Sequence, residues 1–531
     1  MLSSIINGLQ QLNTRDRSIT FTFQKGKIFF ATVKNIYPNN FALLQIGNQN
    51  LIAKLEVALK NGEAYWFQVD SDEGDIQLKL LSDKQQSGNE PSIILKQLSL
   101  PSTKANIDLV QFLSKEQIPF TKETVLKMSG MLSNSTDNKE NLNIIKQMVA
   151  KGLTISESIF KSLYATENKE PIQNQIQLLE LSLSNEEQTP IVKEMQSAID
   201  TIKNIQNKQL ATSLIQTLKD DTVFKTNDMQ LISKSVLQKL GKELEDLSLY
   251  TKTKNSTNLI QNQNEFLTEK TAFISNPSIS QKIVNNTVKV IEHYFSKEVP
   301  PENMLFTQQE KDYLTDILNT MKQTLNGKDV VKQFKEVTKS LGLFYEYQIA
   351  GNPAEHHVEE QLKPLLVKFL QESGHSQEVR EIADSLVNKM NGQQIQMYDS
   401  SPIQHLFYEI PIQLFGFKTN LTMQWSGKKK EDGKIDPNYC HILFYLNLEH
   451  LHETIVEMKV QNRVINVNVY SESNVKEAAA NIIPKLKNNL EELNYQLSAI
   501  HFMEIQSEKT THIKKNTRNV NQAYNGVDLK I

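Results

Sequence analysis

The chain has 531 residues, a formal net charge of −3 at pH 7 and 39% hydrophobic residues. This length exceeds what one hydrophobic core organises, so we expect roughly three to four domains. The near-neutral charge provides no global attraction for nucleic acid or for an anionic membrane, and such partners would need a local patch. The single cysteine, Cys440, excludes an internal disulfide.

Residues 1–17 predict an amphipathic helix, because apolar residues recur at helical spacing from Leu2 to Leu12. No positive charge precedes these apolar residues, so the segment lacks the pattern of a secretory signal. Nowhere does the chain contain 18 consecutive apolar residues, the pattern of a membrane span. We therefore expect a cytoplasmic protein.

Residues 18–82 contain five short β-branched or aromatic runs separated by turn residues, which predict a small five-stranded β-barrel of the oligonucleotide-binding type. Its aromatic side chains could stack on bases or fill the core: Phe29, Phe30, Tyr37, Phe41, Tyr65, Trp66 and Phe67. The segment has six lysines and six acidic residues, so no positive groove is evident. We favour a core role for the aromatics over nucleic-acid binding.

Helical periodicity then predicts two helical domains, at 93–250 and 277–392, separated by a polar linker at 251–276. In the second domain, His356 and His357 precede an acidic helix start, and we interpret them as a solvated helix terminus rather than zinc ligands.

The first helical domain contains a weak internal duplication. The segment that begins at residue 109 aligns without a gap to the segment that begins at residue 144, an offset of 35 (144 − 109). The alignment predicts a repeated helix, turn and helix, with Thr121 and Ser156 as N-cap residues.

After Gly392 the apolar period changes to two, which predicts an antiparallel sheet with one wet face. A helix between Asn474 and Leu493 is expected to cover the dry face, with Pro484 either kinking it or lying in its first turn. The chain as a whole is predicted to be an α+β multidomain protein: a barrel, a helical middle, and a C-terminal antiparallel sheet packed with a helix. Residues 507–531 are predicted to form a disordered tail.

No residues in the sequence form a recognisable catalytic or metal-binding motif. His450 and His452 have no third ligand nearby, and we interpret them as turn residues. Cys440 beside His441 fits a buried strand cysteine better than a nucleophile. The lysine run at 428–430 fits a solvated hairpin loop. We expect a protein that is not an enzyme and that has no cofactor.

The C-terminal segment resembles a known family. "LNLEHL" at 446–451 is similar to a leucine-rich turn, and "LKNNLEELNYQL" at 486–497 to a helix-to-strand step, of the flagellar hook-length control proteins. The resemblance covers residues 395–506, and "SLGLFYEYQIA" at 340–350 resembles a helix upstream of that domain. The chain departs from the family at His452, where glycine is usual, and at Asn494, where glycine commonly precedes the tyrosine.

The resemblance implies a C-terminal α/β domain that binds the cytoplasmic domain of an export-gate switch protein in type III secretion and changes which substrates are exported. It implies partner-binding residues at Thr454, Val456, Leu486 and Leu490. Export of the chain itself through the same apparatus is the alternative to a cytoplasmic location. Typical members of the family have an extended, low-complexity ruler segment before the C-terminal domain. This chain instead has the predicted barrel and two helical domains. The alternative is a cytoplasmic nucleic-acid-binding or adaptor protein that uses the barrel.

Overall fold

In the computed structural model, the described residues are 24–46, 49–71, 75–83, 90–133, 138–167, 170–219, 227–241, 277–296, 306–324, 327–351, 360–397, 403–414, 417–430, 434–448 and 451–504. Several predictions fall outside these residues: the helix at 1–17, the linker at 251–276, the tail at 507–531, and His356, His357 and His450.

The N-terminal strands close into a five-stranded barrel with neighbour order β1-β2-β3-β5-β4, which confirms the predicted barrel. The strands are β1 (Ile28–Ile36), β2 (Phe41–Ile46), β3 (Gln49–Leu55), β4 (Ala64–Ser71) and β5 (Gln77–Asp83). A single 3-10 turn, Pro38–Asn40, joins β1 to β2 and places Asn39 and Asn40 at positive φ, which asparagine tolerates.

The barrel aromatics serve two cores. Phe29, Tyr65 and Phe67 are buried inside the barrel. Trp66 is buried on the outer side, where its ring lies 5.9 Å from that of Phe120 in the helical region. A core role is therefore confirmed for these four residues, since a buried ring cannot stack on a base. The prediction is wrong for Tyr37, whose side chain is 42% exposed just past the end of β1.

Five helices form a core that also includes Ile28 and Trp66 of the barrel. They are α1 (Glu90–Gln97), α2 (Lys104–Lys115), α3 (Lys122–Ser133), α4 (Asn138–Ala150) and α5 (Glu157–Glu167). The backbones of Ile28 and Phe120 exchange two hydrogen bonds, of 2.7 and 2.9 Å, and so join the barrel to this helical unit.

The α2–α3 and α4–α5 pairs correspond element by element at an offset of 35 residues. Thr121 caps α3 by accepting from the Thr124 amide, and Ser156 caps α5 by accepting from the Ile159 amide, as predicted. Both pairs also turn through a residue at positive φ. These are Gln117 (φ 53°) and Gly152 (φ 64°), which are themselves 35 positions apart.

The remaining helices divide between two cores. They are α6 (Ile172–Leu183), α7 (Pro190–Lys203), α8 (Ile205–Lys219), α9 (Asn227–Gly241), α10 (Pro277–Ser296), α11 (Gln308–Thr324), α12 (Gly327–Leu341), α13 (Tyr345–Gly351), α14 (Leu362–Gln371) and α15 (Gln377–Met397). Across the helices that the structure describes, none combines the length and apolarity that crossing a bilayer requires.

The larger core draws on three separate stretches of chain, 172–205, 337–390 and 408–421. Helices α8 to α11 pack mainly against one another in a second core, between residues 210 and 318. Each of these two cores therefore combines residues from 93–250 with residues from 277–392.

The C-terminal strands form one six-stranded sheet with neighbour order β11-β10-β9-β8-β7-β6. The strands are β6 (Ile403–Leu414), β7 (Phe417–Lys429), β8 (Ile435–Leu448), β9 (His452–Gln461), β10 (Val464–Ser471) and β11 (Gln496–Glu504). Five of the strands form the predicted antiparallel meander, but β11 pairs with β10 in parallel. The cause is the connection, because a helical crossover brings the chain back to the same end of the sheet before the last strand begins.

The crossover contains two helices, α16 (Lys476–Ala479) and α17 (Ile483–Glu492). Pro484 lies in the first turn of α17, where its missing amide hydrogen has no helical partner to lose. Of the two predicted outcomes for Pro484, a helix start is therefore the one observed.

The sheet joins the larger helical core through the outer edge of β6. The Gln393 side chain on α15 bonds both backbone groups of Glu409, donating to its carbonyl at 3.1 Å and accepting from its amide at 3.2 Å. The Glu409 carboxylate lies 3.2 Å from Lys389 Nζ and accepts from the Ile172 amide at 2.8 Å. Lys389 Nζ also donates to the Glu170 carbonyl. The strand edge is thus covered rather than left open for association.

Helices α5 and α15 approach closely at Gly392. A Cβ at this position would lie 2.1 Å from the Ser162 carbonyl oxygen and 2.4 Å from Thr166 Cγ2. Real carbon atoms do not approach backbone oxygen this closely, so glycine is required for the observed packing.

We predict that Gly392→Ala lowers the free energy of unfolding by about 2 to 3 kcal/mol, because the two helices must separate to admit the methyl group. Urea unfolding followed by circular dichroism measures this change. Gly130→Ala is the matched control, since Gly130 lies in α3 with no heavy atom within 4 Å of a Cβ placed there. This control should stabilise the protein by about 0.5 to 1 kcal/mol. Equal effects of the two substitutions would contradict the close-packing argument.

Candidate protein-interaction surface

One face of the C-terminal sheet is apolar across most of its strands. Val456 on β9 lies opposite Phe444 on β8 and Val469 on β10, so the three side chains share this face. At the β6 end the face is buried by the helical core, which includes Tyr408 and Leu421. At the β11 end, α17 packs against it through Leu490. We call this side of the sheet, which includes Val456, Phe444 and Val469, the apolar face.

Helix α17 and its two capping residues carry an apolar stripe made of Ile482, Leu486, Leu490 and Leu493, which recur at intervals of four, four and three residues; Ile482 is the N-cap and Leu493 the C-cap. Only Leu490 packs into the small core on the apolar face. Ile482, Leu486 and Leu493 remain 63%, 36% and 64% exposed. The helix therefore rests on the sheet by one side of its stripe and presents the rest to solvent.

The four predicted partner-binding residues occupy different environments. Val456 and Leu490 pack in the same small core, partly buried, and Leu486 lies on the exposed part of the stripe. Thr454 is buried, and its hydroxyl donates to the His452 carbonyl at 3.4 Å, inside the turn before β9. The structure thus brings Val456 and Leu490 together, places Leu486 beside them on α17, and leaves Thr454 without an exposed surface.

Backbone conformation at the two positions that depart from the resembled family is left-handed. His452 has φ 52° and Asn494 has φ 61°. Asn494 follows the last turn of α17, where the Tyr495 amide donates to the Leu490 carbonyl at 2.8 Å and the Asn494 amide donates to the Glu491 carbonyl at 2.9 Å. This pattern is a Schellman motif, in which glycine is the favoured residue at the left-handed position.

Arg463 fixes the end of α17 to the neighbouring hairpins, a role that the sequence did not predict. Its Nε donates to Asn438 Oδ1 at 2.9 Å, and its guanidinium lies 5.4 Å from the ring centroid of Tyr495. The Tyr495 hydroxyl donates to the Pro437 carbonyl at 3.3 Å. These contacts hold the base of α17 although no α17 side chain is fully buried.

The opposite face of the sheet carries a polar cluster centred on Glu457. Its carboxylate lies 2.9 Å from His441 Nε2 and 2.9 Å from Lys459 Nζ. It also accepts from Asn468 at 2.7 Å and from the Tyr470 hydroxyl at 3.4 Å. The hydrogen bond from His441 outweighs partial burial and holds the pKa of Glu457 well below its usual range. An ionised carboxylate with this many donors stabilises the sheet and is a poor general base.

The other candidate groups that the structure describes are Cys440, His452 and Lys430. Burial raises the pKa of the Cys440 thiol, the opposite of what activates a nucleophile. His452 is exposed at the start of β9, and Lys430 lies 3.7 Å from Asp436 in the exposed hairpin. Within the described part of the chain, His, Cys, Asp and Glu nowhere form a group of three that could hold a metal ion.

The fold is that of a multidomain α+β protein whose C-terminal sheet presents a partly uncovered apolar helix. No family model matches the chain, and no solved structure matches it. It is 22% identical over 514 residues to "Uncharacterized protein YlqG" of Bacillus subtilis (strain 168), an alignment that covers 90% of this chain and 89% of the other. The similarity therefore extends over nearly the whole of both proteins.

We predict that Glu457→Gln destabilises the C-terminal sheet by about 1 kcal/mol at pH 7, after allowance for solvent screening of charge-assisted hydrogen bonds. A carboxyl with a lowered folded-state pKa contributes stability above its unfolded pKa, and this contribution is lost as the pH falls. The difference between wild type and variant should therefore shrink below about pH 4. The chain has two tryptophans, so fluorescence of Trp425 in a Trp66→Phe background reports unfolding of the sheet. A difference that stays constant down to about pH 2 would contradict the assigned role.

We also predict that Asn494→Ala lowers the free energy of unfolding by about 1 kcal/mol, because the alanine Cβ is sterically strained in left-handed backbone. Asn494→Gly should stay within about 0.5 kcal/mol of wild type. The same Trp425 fluorescence measures both variants during urea unfolding. Asn489→Ala, one turn earlier on the exposed side of α17, is the control and should be neutral or slightly stabilising. If alanine and glycine at position 494 behaved alike, the Schellman assignment would fail.

Proposed function

We propose that this chain is a non-enzymatic protein-interaction factor of type III secretion, and that its C-terminal domain binds the cytoplasmic domain of an export-gate switch protein. The docking surface comprises the exposed stripe of α17 and the adjoining edge of the apolar face, with Leu486 and Leu493 as direct contacts. Val456 and Leu490 support this surface from beneath.

The observation that carries the proposal is the exposure of three of the four stripe residues: Leu486 within α17 and its caps Ile482 and Leu493. An amphipathic helix in a folded domain normally buries its apolar stripe, and contiguous apolar surface left in water marks an interaction site. The Arg463 and Tyr495 contacts hold α17 in place, so little ordering is needed on binding.

The choice of partner follows from the resemblance to the hook-length control family. Support for that resemblance comes from the backbone at His452 and Asn494, the two positions where the family usually has glycine. Both residues have positive φ, which glycine adopts without strain.

Leu486→Asp and Leu493→Asp test the docking surface. Both side chains are exposed, so each variant should retain wild-type stability within about 0.5 kcal/mol. Affinity for the cytoplasmic domain of the export-gate switch protein of the same organism should fall at least about tenfold, since a carboxylate would be buried at the interface. Isothermal titration calorimetry with the full-length chain measures this affinity.

Asn488→Asp is the matched control, because it adds the same charge on the side of α17 away from the stripe. It should bind like wild type. Wild-type affinity in a folded Leu486→Asp variant would refute the assigned contact, and a wild-type chain that does not bind the switch protein would refute the choice of partner.

A further inference from the structure

Strand β11 forms the open edge of the C-terminal sheet. The sheet order ends at β11, and its only strand neighbour in the described part of the chain is β10. At the opposite edge, the backbone of β6 is bonded by Gln393 of α15. One row of backbone N–H and C=O groups on β11 therefore has no strand partner among the described residues.

Strand β11 carries few of the features that prevent pairing at a sheet edge, such as lysine, proline, a short length or a bulge. It has nine residues, none of which is lysine, arginine or proline, and its one acidic residue is the last, Glu504. Its pairing with β10 is irregular only between Leu497 and Ala499. The stretch from Ala499 to Glu504 is therefore regular and can accept another strand.

Side chains of this regular stretch alternate between the two faces of the sheet. Ile500 and Phe502 lie opposite valines of β10 on the apolar face. His501 and Met503 lie on the opposite, polar face, and both are exposed. A strand that pairs with β11 must therefore present apolar side chains on one face and tolerate an imidazole on the other.

Antiparallel pairing of β11 with a second copy of itself meets this requirement. A two-fold axis perpendicular to the sheet keeps each face continuous only if it passes through a residue, because an axis between residues sets side chains of different faces opposite one another. With the axis at His501, Ile500 of each copy lies opposite Phe502 of the other. An aromatic and a β-branched side chain in this arrangement stabilise a sheet.

The neighbouring registers fit less well. With the axis at Phe502, the Glu504 carboxylate would lie opposite Ile500 on the apolar face. With the axis at Ile500, Leu497 of the apolar face would lie opposite Met503 of the polar face, because of the irregularity after Leu497. The sequence of β11 therefore favours one self-pairing, centred on His501.

We propose that β11 is the interface of a two-fold dimer, in which two copies of this chain join their C-terminal sheets edge to edge about His501. Because β6 is covered, a further copy cannot add at the other edge, and the assembly closes at two. An extended segment of a different protein could also pair with a sheet edge, but the self-complementary sequence favours a second copy. The interface uses none of the α17 stripe residues, so the inference is independent of the partner proposed for α17.

Sedimentation velocity of the full-length chain tests the dimer. The wild type should change from monomer to dimer as its concentration rises through the micromolar range. His501→Lys should weaken dimerisation at least about tenfold, because two like charges would face each other at the axis. Gln461→Lys is the matched control, since it adds a lysine at an exposed position on β9, inside the sheet, and it should dimerise like wild type. Circular dichroism should show that both variants are folded. A wild type that stays monomeric, or equal effects of the two substitutions, would overturn the proposal.

Disulfide cross-linking with the oxidant diamide tests the position of the axis. In a Cys440→Ser background, which removes the single native cysteine, His501→Cys places two thiols opposite each other. Their Cα atoms would be about 4.5 to 5.5 Å apart, within the range of a disulfide. Met503→Cys, on the same face, would lie roughly 13 Å along the strand from its mate, too far to bridge. Diamide should therefore link the first variant as a dimer and leave the second unlinked. No linkage at position 501, or equal linkage at both positions, would overturn the assigned interface.

Discussion

The connection between the helical region and the C-terminal sheet depends on the buried pair Lys389 and Glu409. Lys389 is almost fully buried, and Glu409 combines this charge contact with a bond from the first amide of α6. Removing either partner would leave the other as a buried charge without a counter-ion, which typically lowers the free energy of unfolding by about 3 to 5 kcal/mol. Because Gln393 bonds the adjacent backbone, the same point also closes the outer edge of the sheet.

Local features of the fold could be predicted from the sequence because their causes are local. Strand alternation and turn residues revealed the barrel, and the repeat at an offset of 35 revealed two equivalent helix pairs with their N-caps. The parallel placement of β11 could not be predicted from alternation, which is the same for either strand direction. Lys389 and Lys363 resemble surface lysines in the sequence, and only the three-dimensional contacts reveal them as buried charges.

The candidate site shows the same division. The spacing of Leu486 and Leu490 predicted one apolar side of a helix, and their position after the leucine-rich turn was evident from the resemblance. Whether that side is buried depends on how far α17 overlaps the sheet, which no spacing determines. Thr454 was predicted to contact a partner, but its side chain is buried and so does not form part of the exposed surface. Arg463 gave no sequence signal, because its partners Asn438 and Tyr495 lie in β8 and in the turn between α17 and β11.

The discontinuity of the larger core has a consequence for synthesis on the ribosome. Helices α6 and α7 are complete before residue 205 is synthesised. Helix α12 packs on α7, but its first buried core side chain is at residue 337, which is 132 positions later (337 − 205). At about 5 to 20 residues per second, the ribosome needs roughly 7 to 26 s to make that intervening stretch. During this interval the apolar sides of α6 and α7 lack their final neighbours, while α8 to α11 can already pack against one another. Nascent chains paused near residue 330 should therefore be a preferred substrate for chaperones that recognise exposed apolar helices.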